Sequence, residues 1–128
     1  MKVRITTKSP TEGDAQATLD AEESVVRAAL GDIVFGVDDQ NMEMVVIDEL
    51  RRRQLSVAVA ESLTGGYVAG RLCAVPGASE VFRAGVVAYQ TQVKHSLLGV
   101  PEGPVISEEA ALAMARGIRE LVGSDLGL

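Results

Sequence analysis

An α/β fold, organised as a three-layer α/β/α sandwich over residues 41–128 and preceded at 1–40 by a small α+β fragment, is what this sequence predicts. Three observations carry that expectation. From Leu55 onward, short apolar runs alternate with segments of helical period. The connection between the first two runs exceeds twenty residues and contains a helix, as a parallel pair requires. A long amphipathic helix then closes the pattern, with Ala111, Met114, Ile118 and Leu121 on one face.

The elements follow in order. Lys2 to Thr7 alternates Val and Ile with polar residues, the pattern of a half-buried strand, and Ser9-Pro10-Thr11 breaks it. Glu12 to Leu30 reads as a helix capped by Thr11, with Asp14 in the third position and Leu19, Val26 and Leu30 on a common face. Asp32 to Gly36 reads as a second short strand. A strand, helix, strand unit of this size buries too little to stand alone, so another domain or further chain is expected to cover its sheet. The acidic turn Val37 to Asn41 marks the boundary, and Asn41 caps a helix from Met42 to about Arg53.

Leu55 to Ala60 is then a strand, Gly65 to Cys73 a helix, Arg83 to Tyr89 a strand and Thr91 to Leu98 a helix. Ser107 caps the long helix, Glu108 and Glu109 suit its first turn, and Gly123 closes it. Asp125 to Leu128 looks like the opening of a further strand.

Composition limits the functions available. The apolar fraction is 47% while aromatic residues make up 3%, so the core must be aliphatic. A net charge of −6 argues against a protein that grips nucleic acid through its phosphates. The Arg51 to Arg53 cluster reads as the solvated last turn of a helix. The single cysteine, Cys73, forms no internal disulfide and reads as a small core residue. No charged-then-apolar leader or membrane-length apolar run is seen, so no membrane is expected and the cytoplasm is the expected compartment. Asp38 and Asp39 lack a calcium-loop spacing and read as a solvated turn rather than a metal site.

Ligands in open α/β sheets bind beyond the carboxyl ends of the strands. Two segments lie there: Glu61-Ser62-Leu63-Thr64-Gly65-Gly66 after the first strand and Gln90 to Lys94 after the second, which puts Ser62, Tyr89 and Lys94 on one edge. A serine attacks a carbonyl only when a base takes its proton. The sole histidine, His95, has no nearby acidic partner in sequence and reads as an exposed helix residue, so a Ser-His-Asp triad is not expected. A lysine can serve if its surroundings favour the neutral amine. Gly65 and Gly66 allow close backbone approach, and the N–H groups of the turn suit a phosphate or an oxyanion. The bland alternative is a hydroxyl-capped helix start with a strand-end aromatic and a solvated lysine. Glu61 reads as a residue that orients or caps the turn.

These segments resemble the CinA family, whose C-terminal domain is the nicotinamide-nucleotide amidase also called PncC. The family pattern A-E-S-x-T-G-G reads here as Ala60 to Gly66, V-P-G-S/A-S as Val75 to Ser79, and G-x-V-x-Y as Gly85 to Tyr89 with Lys94 five residues on. L-L-G-V follows at Leu97 to Val100, and the V-S-E-E helix start is Ile106 to Glu109. The resemblance spans about Leu55 to Leu128, and the segment before it is similar to the end of the domain that precedes the amidase in longer family members. It implies Ser62 as nucleophile, Lys94 as base and Tyr89 as their companion, with Thr64, Gly65 and Gly66 contacting the substrate. The implied reaction converts nicotinamide mononucleotide and water to nicotinate mononucleotide and ammonia, with no cofactor and no metal, and a homo-oligomer is expected. The family pattern continues into a T-G-x-A-G-P loop and a later basic residue, so the resemblance implies the front part of the amidase domain. A non-catalytic nucleotide-binding or interaction module is the alternative, and it predicts binding that survives loss of the Ser62 hydroxyl without ammonia release.

Overall fold

The computed structural model describes residues 2–128, which fall into two compact units divided between Asp39 and Gln40. The first unit is built on helix α1 (Glu12–Leu30), whose start is fixed by Thr11: its side chain accepts the Asp14 N–H at 3.2 Å and donates to the Asp14 carboxylate at 2.7 Å. Leu19, Val26 and Leu30 form part of its less exposed stripe, as their spacing predicts. The strands expected at Lys2–Thr7 and Asp32–Gly36 are not formed. Ile5, Thr7 and Ser9 keep the period-two burial of a strand, but no ladder partner is present among the described residues. Gly31, at φ 54°, ends α1 and leads into a single 3-10 turn, Gly31–Ile33, which winds up the residues that alternation assigns to an extended segment.

The second unit has three layers. Helix α2 (Met42–Arg53) starts at Asn41, whose side chain accepts the Met44 N–H at 2.9 Å. Strand β1 (Val57–Glu61), helix α3 (Tyr67–Cys73), strand β2 (Phe82–Val87), helix α4 (Thr91–Leu98), helix α5 (Glu108–Val122) and the two-residue strand β3 (Leu126–Gly127) follow. The sheet order is β2-β1-β3, and both pairings are parallel. Ser107 caps α5 through the Ala110 N–H, and Gly123 ends it at φ 65°.

β1 is central, and its alternation sorts the core into two. Val57 and Val59 pack with Ile47, Leu50, Leu72 and Val81 on the α2 and α3 side; Ala58 packs with Ala88, Leu98, Met114 and Ile118 on the α4 and α5 side. Small residues set the layer spacing. A Cβ at Gly85 would lie 2.7 Å from the Ala69 Cβ, so the glycine of the G-x-V-x-Y segment is where α3 settles onto β2. Among the described residues no helix is long and apolar enough to cross a membrane.

Three residues depart from the sequence expectation. Arg52 and Arg53 are solvated, as expected of a last helical turn, and their hydrogen bonds hold the exposed Glu49 carboxyl down at about 2, that of Arg52 contributing most. Arg51 instead leaves the helix surface, donating to the Pro76 carbonyl at 2.9 Å and pairing with Glu80 at 3.2 Å, and so ties α2 to the turn after α3. Cys73 is exposed because Leu72 and Val75 take the inward positions where the helix ends. His95 is partly buried, and its Nδ1 lies 2.7 Å from the Val100 carbonyl as the chain folds back after α4, so Nδ1 bears the proton.

Candidate active site

β1 and β2 end in register. Glu61 pairs with Val87, and the Ala88 N–H donates to the Glu61 carbonyl at 2.8 Å, so Ser62 and Tyr89 follow closely on adjacent parallel strand ends. This is the carboxyl edge, where α/β folds place their chemistry.

Between Ser62 and α3 the chain makes a tight turn. The Gly65 N–H donates to the Ser62 carbonyl and the Tyr67 N–H to the Thr64 carbonyl, each at 3.1 Å. Gly65 and Gly66 have φ of 62° and 97°, and at Gly66 a Cβ would also meet Val87 at 3.3 Å, so this turn needs glycine for its backbone. The N–H groups of these glycines are already engaged, Gly65 with Ser62 and Gly66 with Glu61. Among the described residues the N–H groups of Ser62, Leu63 and Thr64 have no protein partner. Thr64, Gly65 and Gly66 also line one wall of an open groove of about 540 Å³, with Tyr67, Gly70, Arg71 and Glu43. There Arg71 is hydrogen-bonded to Glu43 and its guanidinium lies 5.7 Å from the Tyr67 ring centre.

Lys94 lies in α4 and is only 4% exposed, unlike a solvated helix lysine. Its Nζ donates to the Tyr89 carbonyl at 3.5 Å, at the long limit of a hydrogen bond, and among the described residues no carboxylate is paired with it. The backbone contact brings the amine back to the end of β2, next to the end of β1. Ser62 is half-buried, and its hydroxyl is not hydrogen-bonded to Lys94. Tyr89 is 71% exposed, so it meets Lys94 through its carbonyl and turns its ring to solvent.

Glu61 is the residue whose part the sequence left open. It is 5% exposed, and its carboxylate accepts the N–H groups of Gly66 at 3.1 Å, Val68 at 3.0 Å and Ala69 at 2.8 Å. Burial pushes its carboxyl up, but hydrogen bonds from the Thr64 side chain and the N–H groups of Ala69, Val68 and Gly66 outweigh that and hold it below the usual carboxylate range. A group depressed in this way stabilises the folded state above its unfolded pKa, and the contribution is lost as pH falls through the folded value. Glu61→Gln should therefore melt below the wild type by a constant margin above about pH 4.5, and the margin should shrink at lower pH. Thermal melts of both proteins between about pH 3 and pH 7 check this, and a margin that widens on acidification would contradict it.

The CinA C-terminal domain family matches residues 39–128. The chain belongs to the CinA family. It is 46% identical to a CinA-like protein of Frankia casuarinae, over 99% of this chain and 30% of that protein. It is 43% identical to a CinA-like protein of Desulfovibrio desulfuricans, over 100% of this chain and 31% of that one. The chain thus spans about a third of the length of these curated relatives. Among solved structures, a CinA superfamily protein from Escherichia coli superposes with a TM-score of 0.65 at 28% identity, covering 75% of this chain and 62% of that one. The competence/damage inducible protein CihA from Agrobacterium tumefaciens superposes at 0.61 with 32% identity, covering 73% and 58%. Family and fold therefore agree, and the edge that carries Ser62 and Lys94 lies within the stretch that the CinA domain matches.

Proposed function

We propose that this CinA domain is an amidase that hydrolyses the carboxamide of nicotinamide mononucleotide, with Ser62 as nucleophile and Lys94 as base. The observation that carries the reading is the buried Lys94 amine, paired with no carboxylate among the described residues and held at the end of the strand beside the one that delivers Ser62. In the proposed cycle the amine takes the proton of Ser62 Oγ as that oxygen attacks the carboxamide carbon. The resulting oxyanion is met by the unengaged N–H groups of the Ser62–Thr64 turn. Lys94 passes its proton to the nitrogen, the C–N bond breaks and ammonia leaves, so that an ester joins Ser62 to the nicotinoyl group. Water then attacks the ester with Lys94 again as base, releasing nicotinate mononucleotide and restoring the hydroxyl. Tyr89 orients the amine through its carbonyl, and Thr64, Gly65 and Gly66 shape the wall against which the substrate lies.

Ammonia release from nicotinamide mononucleotide tests this, measured on this chain and on the same chain extended by the family's T-G-x-A-G-P segment, each beside its Ser62→Ala counterpart. Release that disappears with the Ser62 hydroxyl supports the amidase. If neither version releases ammonia while the nucleotide still binds the Ser62→Ala protein, the binding module replaces it.

A further inference from the structure

The turn that carries Ser62 has few bonds of its own, and most of what defines it comes from one side chain. Helix α3 is preceded at its capping position by Gly66, which has no side chain to cap it. Backbone hydrogen bonds inside the turn number two, Gly65 to Ser62 and Tyr67 to Thr64. The remaining donors at the helix start, Gly66, Val68 and Ala69, all point at Glu61, which reaches across the entire turn from the residue immediately before the nucleophile. An ordinary cap belongs to the first residue of its helix and satisfies one or two donors. Here the cap closes a loop with Ser62 inside it.

We infer that Glu61 is a positioning residue for Ser62: its carboxylate pins the start of α3 to the end of β1 and so fixes the turn in which the nucleophile sits. The inference rests on the amidase reading for its catalytic part, while the clamp itself is a property of the fold. It also bears on the substrate. The place where a helix start would receive a phosphate is filled by a buried negative charge with three N–H groups already on it. The nucleotide phosphate is therefore repelled from the start of α3 and must be held elsewhere, and among the described residues the turn's backbone donors without a protein partner are those of Ser62, Leu63 and Thr64.

Glu61→Gln separates positioning from simple stability. The amide keeps the size of the side chain and one oxygen, which can still serve Gly66 and Val68, but its NH₂ then faces the Ala69 N–H, donor against donor. The expected result is a folded protein in which kcat for ammonia release falls about ten- to a hundredfold while KM stays within about threefold, because a misplaced nucleophile costs rate more than binding. Amide hydrogen exchange, followed residue by residue, should show protection of Gly66, Val68 and Ala69 reduced by about tenfold or more, with Val59 and Ile118 unchanged. A variant with wild-type kcat overturns the positioning role. If the substitution unfolds the protein, the wild type decides alone: exchange at Gly66, Val68 and Ala69 as fast as at the unbonded Leu63 N–H removes the clamp and the inference with it, and slow exchange at all three upholds it. Should the wild type release no ammonia, the amidase reading fails, and those exchange rates still say whether the clamp exists.

Discussion

Lys94→Arg is expected to lower ammonia release from nicotinamide mononucleotide by about 10²- to 10⁴-fold, the range a positioned general base contributes. Arginine keeps a nitrogen head group and much of the length, but its guanidinium stays protonated in water and cannot accept the proton of Ser62. It is also larger, and the site gives it little room, since Lys94 is 4% exposed. Lys94→Met removes the amine while keeping an unbranched chain, so it separates loss of the base from loss of packing. Both variants should be inactive if the amine is the base, and the Met variant should melt near the wild type. Nucleotide binding measured by calorimetry should persist in the Met variant. Turnover by Lys94→Arg within about tenfold of the wild type would remove Lys94 from the mechanism.

Gly117→Ala is expected to destabilise the domain, against the ordinary rule for helices. In a helix interior this change usually adds about 1 kcal/mol of stability through backbone entropy. At Gly117 the added Cβ would run into the backbone of Leu98, 2.8 Å from its carbonyl carbon and 2.9 Å from its Cα. Nothing there can rotate away, so α4 and α5 must move apart. Overpacking of this kind costs about 1–3 kcal/mol, and a backbone neighbour places it at the upper end. The clash outweighs the propensity gain by about 2 kcal/mol, and the melting temperature should fall on the order of 10 °C for a unit of this size. Gly70→Ala is the control. Gly70 is also helical, but a methyl group added there would meet no atom within 4 Å, so it should gain the usual fraction of a kcal/mol. If both variants moved in the same direction, the close approach of α4 and α5 would not be what fixes glycine at 117.

Much of this fold was legible because its signals are local. Thr11, Asn41 and Ser107 are each followed three residues later by the N–H they cap, and all three helices begin where those residues place them. The alternation of β1 foretells both faces of the core, since period two sorts Val57 and Val59 from Ala58 without knowledge of the partners. What failed depended on partners that one segment cannot announce. Lys2–Thr7 carries a strand's pattern, yet a strand is defined by the neighbour it bonds. Cys73 and His95 escape a periodicity argument because each sits near a helix end, and there the returning chain decides which side is covered.

The candidate site divides in the same way. The placement of Ser62, Tyr89 and Lys94 on one edge followed from parallel strands alone, and the pairing of Glu61 with Val87 has that consequence. The use made of the turn did not. Gly65 and Gly66 look like donors in sequence, whereas their own N–H groups are spent inside the protein and their contribution is backbone conformation. The signal that pointed further was the carboxylate next to Ser62: an acidic residue at the end of an apolar strand is costly to bury unless it is fully bonded, and Glu61 is.

The junction of β1 with β3 has a consequence for the order of folding. Ser56 is 5% exposed, and its N–H and hydroxyl both donate to the Asp125 carboxylate at 2.7 Å, while its own oxygen receives the Asp125 N–H at 3.1 Å. These bonds join residues 69 apart in the chain, and the strand they anchor runs parallel to β1. Closing a loop of that length costs on the order of 4 kcal/mol of chain entropy before any contact repays it. The β1–β2 pair, spanned by a far shorter crossover, must therefore assemble first, and β3 docks as a late step onto a scaffold already in place.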